Sequence, residues 1–239
     1  MCRKNRFRAI NHQSLSPPKI SPGVVFATRC RNKRAMKRDF IEAIKHRRTY
    51  YDIGNSALTS QRRVVEIVNT ALLYIPSAFN VQSTRIVVLF GKHHTKLWEI
   101  TKDTLREIVP EKAFERTQHK IDHSFVAGCG TILFFEDIEA VETQKRQMPT
   151  YAEAFDTYSA QTSAMHQFAI WTMLCDAGYG ASLQHYNPLI DKRVAEEWDI
   201  PSEWRLMAEM PFGNPQKSPE TKIQHKPIAQ RRWIFGEGE

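Results

Sequence analysis

The stretch Pro76-Ser77-Ala78-Phe79-Asn80-Val81-Gln82-Ser83 closes one periodic segment and opens another. Before it, Val64, Ile67, Val68, Ala71, Leu72 and Ile75 recur at helical spacing, which predicts a helix from Gln61 to Ile75. After it, Arg85-Ile86-Val87-Val88-Leu89-Phe90 reads as a strand closed by Gly91. A turn of small and amide side chains at that junction offers hydroxyl and amide groups to the edge of a planar polar ligand. Its companion lies upstream, in Lys45-His46-Arg47-Arg48-Thr49. These residues end a short helix, Phe40 to His46, which Asp39 can cap and whose inner face would carry Ile41 and Ile44. Two guanidiniums beside a hydroxyl suit a phosphate group. Together the two elements point to a phosphorylated, flat, heteroaromatic cofactor. Each also has a plainer reading. Arg47-Arg48-Thr49 serves equally as a solvated helix end, where cations meet the dipole. The turn serves equally as a helix stop followed by an Asx turn.

Further along, Leu97, Ile100, Leu105 and Ile108 mark a helix stopped at Pro110. Thr131-Ile132-Leu133-Phe134-Phe135 is a continuous apolar run too short for a helix, so a fully buried strand is expected. A long helical segment follows Pro149, from about Tyr151 to Ala177. Its apolar positions, taken as Met165, Phe168, Ala169, Trp171, Thr172 and Leu174, spread too widely for one stripe, as in a central or interface helix. Gly178 and Gly180 are read as its terminators. Gln184-His185-Tyr186 follows, in what could be an ordinary loop. A short helix is expected from Asp191 to Trp198. Strands are expected from Arg205 to Met210, ended by Pro211-Phe212-Gly213, and over Arg232-Trp233-Ile234-Phe235. No repeat or internal linker interrupts residues 36–239, which read as one α+β domain.

The chain has 239 residues and a net charge of +8, which at first suggests a nucleic-acid partner. The charge is confined. Residues 1–35 hold nine Lys or Arg and no Asp or Glu, leaving 25 basic and 26 acidic residues in the body. The tail also carries Pro17, Pro18 and Pro22 and no apolar periodicity, so it is expected to be disordered. It reads as an extension preceding a true start at Met36, as a targeting segment, or as a nucleic-acid or membrane arm. The balanced body argues against nucleic acid. No apolar run approaches the ~20 residues of a membrane span. Cys2, Cys30, Cys129 and Cys175 show neither close pairing nor metal spacing and fit reduced thiols in the cytoplasm.

Other chemistries find little support. His119 and His123 would share a helix face, but Lys120 stands where a zinc protease needs Glu, and no third ligand is evident. G-x-S-x-G, P-loop and G-x-G-x-x-G patterns are absent. Gly128-Cys129-Gly130 precedes a strand instead of following one, and Cys129 has no local basic partner.

The order of the segments is more specific than any one of them. From Met36 to Gly236 the chain resembles the nitroreductase family of FMN enzymes. Arg47, Arg48 and Thr49 match the first three positions of that family's R-x-S-x-R element. Pro76, Ser77, Asn80 and Gln82 match its P-S-S-x-N-x-Q element. Three longer motifs, at Pro76–Arg85, Gly130–Asp137 and Gly178–Pro188, are similar to the yeast-type, stress-linked branch.

The resemblance implies an α+β nitroreductase-like fold, with a mostly antiparallel sheet flanked by helices, in an intertwined homodimer. It implies two FMN sites at the subunit interface. One subunit would supply Arg47, Arg48 and Thr49, with Tyr51, Gln184 and His185 nearby and Arg231 as a further phosphate ligand. The partner would supply Ser77, Asn80 and Gln82, with Ala78 in the same turn. The implied activity is reduction of nitroaromatics or quinones by NADH or NADPH in a ping-pong cycle, in an oxidative stress response. The alternative is a flavin-binding sensor with little turnover. No residue is expected to act as general acid or base. Two departures stand out. Tyr51 occupies the last basic position of R-x-S-x-R, and Ser83 replaces the Pro common in other branches. Both are expected to bear on redox potential and substrate choice.

Overall fold

The computed structural model describes residues 39–219 and 222–238. The basic tail, residues 1–35, and the alternative start Met36 lie outside the described residues. The body begins with α1 (Phe40–His46), β1 (Ile53–Gly54), α2 (Gln61–Tyr74), β2 (Thr84–Phe90), α3 (Lys92–Ile108) and α4 (Glu111–Ile121). It continues with β3 (Gly130–Asp137), α5 (Ile138–Gln147), α6 (Phe155–Asp176), β4 (Gly180–Ala181), α7 (Asp191–Glu197) and β5 (Trp204–Pro215). The sheet is antiparallel in the order β1-β5-β3-β2, with β4 also paired to β5.

Strand β3 shows why its run is apolar throughout. Side chains alternate across a strand. Ile132 and Phe134 pack with Val64, Ile67, Ala71, Ile170 and Leu174 of α2 and α6. Leu133 and Phe135 face the other way, toward Leu97, Trp98 and Ile100 of α3 and Val194 of α7. Both faces of the sheet are therefore covered by helices. On β5 the alternation breaks where Ala208 pairs Phe134 but Leu206 pairs Phe135. Met207 is the extra residue of a bulge. As a result Met210 faces α2 and α6, whereas Leu206 joins the α3 side.

The helix limits follow local chemistry. Asp39 accepts the Glu42 amide at 2.9 Å and Ser60 accepts the Arg63 amide at 3.2 Å, capping α1 and α2. Gly178, at φ 95°, ends α6. Its amide bonds the Cys175 carbonyl at 3.0 Å, and the Tyr179 amide bonds the Leu174 carbonyl at 2.9 Å, as in a Schellman cap.

Several expectations need correction. Gly180 does not end α6; it starts β4, where a Cβ would lie 2.8 Å from that of Tyr50. Strand β5 does not stop at Pro211 but runs to Pro215. Pro211 lacks only a donor, and its carbonyl still accepts the Ser182 amide at 3.3 Å. Residues 232–235 form no strand, and Trp233 and Phe235 are 73% and 91% exposed. A strand needs a paired neighbour, and none of the described residues pairs with this segment. In α1 the buried residue is Ala43, whereas Ile41 and Ile44 are exposed. The buried side of helix α6 is of mixed character, not uniformly apolar. Ser159, Thr162, Ser163, His166 and Thr172 are buried, whereas Met165 and Phe168 remain 41% and 40% exposed.

Candidate functional site

Arg47 leaves α1 in an extended conformation. The next residues are stitched to β4, where Thr49 bridges Ala181 and the Tyr50 amide donates to the Ala181 carbonyl at 3.0 Å. The Arg47 guanidinium lies 4.3 Å above the Trp171 ring of α6. Such stacking leaves the guanidinium edge open to an anion. Arg47, Arg48, Thr49, Tyr51, Asp52 and Lys217 line a cleft of about 530 Å³. Three cations face one carboxylate there, so the cleft favours anions. The Nε1 of the Trp171 ring beneath Arg47 is buried and has no acceptor among the described residues.

The Ser77–Gln82 turn is built under strain. Phe79, Asn80 and Gln82 have φ values of 53°, 56° and 52°. That conformation is a genuine outlier for a bulky Phe and persists only when surroundings impose it. Here the Ser77 hydroxyl accepts the Gln82 amide at 2.9 Å, and Gln82 Nε2 donates to Asn80 Oδ1 at 3.0 Å. The Phe79 ring lies 5.5 Å from both Tyr151 and Phe155, which holds it against the start of α6. Ala78 lies within the same turn. Ser77 and Gln82 line a separate cleft of about 330 Å³ with Arg85, His166 and Trp204.

The two elements are not brought together within one chain. The turn rests on Phe155 and Arg47 on Trp171, sixteen residues apart along α6. At 1.5 Å per residue that separation is roughly 24 Å. Gln184 is buried and bridges Glu209 of β5, whereas its neighbour His185 is exposed. Arg231 lies in an exposed segment at the end of a 3₁₀ turn.

Tyr51 is half-exposed, and the structure sets beside it a cation that no motif announced. Lys120 Nζ of α4 lies 5.7 Å from the Tyr51 ring centroid and 5.6 Å from that of Phe125. Ser83 also departs from expectation. Its hydroxyl points inward and donates to Glu136 Oε2 at 2.6 Å. Thr84 donates to the same fully buried carboxyl at 2.8 Å, as does Ser159 of α6. Ser83 thus ties β2 to β3 and α6, and its chemistry is spent in the core.

Sequence reasoning missed Glu136 and Glu209 as interior groups, because an acidic residue in a strand ordinarily reads as solvent-facing. Burial pushes the Glu209 carboxyl up to about 8. Burial likewise pushes the Cys129 thiol up to about 11, which suppresses the thiolate that a nucleophile needs. His94 is lowered by burial, with Nδ1 2.8 Å from Thr131 Oγ1 and Nε2 3.2 Å from the Val126 carbonyl. A carbonyl only accepts, so Nε2 carries the proton. The rings of His119 and His123 stack at 3.9 Å. Among the described residues, no group of three His, Cys, Asp or Glu could hold a metal, and no helix is long and apolar enough to cross a membrane.

Comparison with known proteins agrees with this architecture. The nitroreductase family matches residues 44–214. Nitroreductase FRM2 of Saccharomyces cerevisiae is 31% identical over 190 residues, which cover 77% of this chain and 92% of that protein. The putative nitroreductase HBN1 of the same yeast is 30% identical over 192 residues, 78% of this chain and 93% of that one. Among solved structures, nitroreductase CinD of Lactococcus lactis in complex with chloramphenicol superposes with a TM-score of 0.75 at 36% identity. Its complex with 4-nitrophenol gives 0.74 at 35%; both cover 82% of this chain and all of CinD.

Proposed function

This chain belongs to the nitroreductase family, and on that premise we propose that it is an FMN-dependent NAD(P)H oxidoreductase working as a homodimer. The observation that carries the reading is the placement of two complementary half-sites at opposite ends of α6. One is a cationic cleft with a hydroxyl; the other is a strained turn presenting amides. A single ligand cannot span roughly 24 Å of helix to meet both. Two α6 helices related by a two-fold axis and running antiparallel would bring the Trp171 end of one beside the Phe155 end of the other. The apolar surface left open fits such a partner. Met165 and Phe168 of α6, Ile41 of α1, and Leu73 and Tyr74 of α2 are all exposed.

The residues present fit FMN. Arg47, Arg48 and Thr49 would hold the phosphate, with Lys217 adding charge. Ser77, Asn80 and Gln82 of the partner copy would meet the polar edge of the ring system. Bound FMN would supply the hydride chemistry between a nicotinamide and an acceptor. The protein's task is then to bind, orient and shield. Tyr51 lines the cleft and would offer an aromatic surface there, with Lys120 beside its ring. Nitroaromatics and quinones are the proposed acceptors, and the similar CinD has been solved with 4-nitrophenol. A role in oxidative stress rests on the likeness to the yeast branch. The cytoplasm is the proposed compartment, in keeping with cysteines that show neither close pairing nor metal spacing in the sequence.

The test begins with the absorption spectrum of the purified protein, followed by heat release and chromatography of the cofactor. FMN is expected; recovery of FAD alone, or of no flavin after reconstitution, would overturn the reading. Steady oxidation of NADH or NADPH with 4-nitrophenol or a quinone then separates an enzyme from a flavin-binding sensor.

A further inference from the structure

Gln184 and Glu209 exchange both backbone hydrogen bonds, the Gln184 amide to the Glu209 carbonyl at 2.7 Å and the reverse at 3.0 Å. They form a hydrogen-bonded antiparallel pair, so their side chains leave the same face with Cβ atoms roughly 4.5–5.5 Å apart. Both residues are buried. Glu209 Oε2 accepts the Tyr186 amide at 2.9 Å. Glu209 Oε1 and Gln184 Nε2 are buried, and neither has a partner among the described residues. An orphaned acceptor and an orphaned donor thus face out of one strand pair. One internal water or a small rotation would join them.

Burial raises the Glu209 carboxyl, and the backbone N–H groups of Tyr186, Glu209 and Asn187 draw it part of the way back. Asp191, at the start of α7, adds a like charge to the effect of burial. Arg205 of β5 acts on Asp191, drawing its raised carboxyl back down. The Tyr186 phenol is pushed up to about 12 by burial, by Glu209 and by Tyr51, so it brings no charge of its own below that value. No ion pair to Glu209 occurs among the described residues.

The two ends of a Gln amide are equal in size and opposite in hydrogen-bonding sense. A neutral Glu209 donates its O–H to the amide oxygen and leaves the NH₂ for other partners. An ionised Glu209 accepts from the NH₂ and leaves the oxygen. We propose that Glu209 is a positioning residue that sets which end of the Gln184 amide, donor or acceptor, the 184–186 segment presents to a bound ligand. The inference deepens the proposed flavin site and rests on that reading.

The test uses the full-length protein, Glu209→Gln and Gln184→Leu. The FMN dissociation constant, by flavin fluorescence, and the melting temperature of FMN-free protein are followed one pH unit either side of 8. Gln is an isostere of the neutral carboxyl and cannot ionise. In the parent protein, affinity should fall about tenfold for each pH unit above 8, as expected when binding requires one proton. Glu209→Gln should flatten both the affinity profile and the melting profile. Gln184→Leu should flatten the affinity profile while melting still declines with pH, a split that a purely structural carboxyl would not produce. An FMN profile unchanged by Glu209→Gln, or already flat in the parent, would overturn the role of Glu209. A protein that holds no FMN at any pH would instead remove the proposed cofactor, and the inference with it.

Discussion

Ser83→Ala is predicted to destabilise the fold while leaving cofactor affinity unchanged. The carboxyl of Glu136 is fully buried, and its hydrogen bonds come from three hydroxyls, those of Ser83, Thr84 and Ser159. Two of the three, from Ser83 and Ser159, converge on the same oxygen. Removing one hydroxyl donor to a buried carboxylate costs about 1.5–3 kcal/mol, because the oxygen cannot recover its lost partner from bulk water. For a domain of this size each kcal/mol shifts the midpoint by about 2–4 °C, so the melting temperature should fall by about 3–12 °C. Thermal unfolding followed by circular dichroism measures this. Ser159→Ala should cost a similar amount. The double variant should deviate from additivity by about 0.5 kcal/mol or more, since the two donors share one acceptor. A Ser83→Ala protein that melts with the parent but loses FMN would refute the reasoning and return Ser83 to the flavin edge.

Other consequences are equally direct. Arg47→Ala should weaken FMN binding by about 10- to 150-fold, the loss of one charge-assisted phosphate contact; unchanged retention on dialysis would make Arg47 a solvated helix end. Light scattering should show a dimer at micromolar concentration, and a stable, flavin-loaded monomer would contradict the half-site argument. Deleting residues 1–35 should leave fold, flavin and activity intact, because that segment lacks the apolar content to join a core; an insoluble product would show otherwise. Tyr51→Arg should raise the two-electron potential of bound FMN by favouring its anionic reduced form, with about 1.4 kcal/mol corresponding to about 30 mV. Lys120 already lies 5.7 Å from the Tyr51 ring, so repulsion between the two cations opposes the gain. Tyr51→Arg introduced into a Lys120→Ala background should raise the potential relative to Lys120→Ala alone, and potentials unmoved by Tyr51→Arg in both backgrounds would place Tyr51 away from the reduced flavin.

Much of the architecture was legible from local pattern alone. Helical recurrence of Val64, Ile67, Val68 and Ala71 identified α2 and its buried face, and Asp39, Pro110 and Gly178 set helix ends through chemistry that operates within a few residues. The apolar run Thr131–Phe135 identified a strand covered on both faces. The two flavin-type elements were recognisable as strings, because phosphate and amide chemistry resides in residue identity. What depends on neighbours distant in sequence was not legible. Whether Arg232–Phe235 forms a strand depends on a paired backbone, and whether Pro211 ends one depends on which of its groups the ladder uses. Ile41 and Ile44 have the spacing of an inner face, yet both remain exposed among the described residues. Only tertiary structure buried Glu136 beneath three hydroxyls and set Glu209 opposite Gln184. It also brought Lys120 to Tyr51 and separated Arg47 from the Ser77–Gln82 turn by most of α6. The division has one physical cause. Periodicity, caps and side-chain chemistry act over one or two turns of chain, whereas burial, pairing and electrostatic environment depend on the segments that fold against a residue.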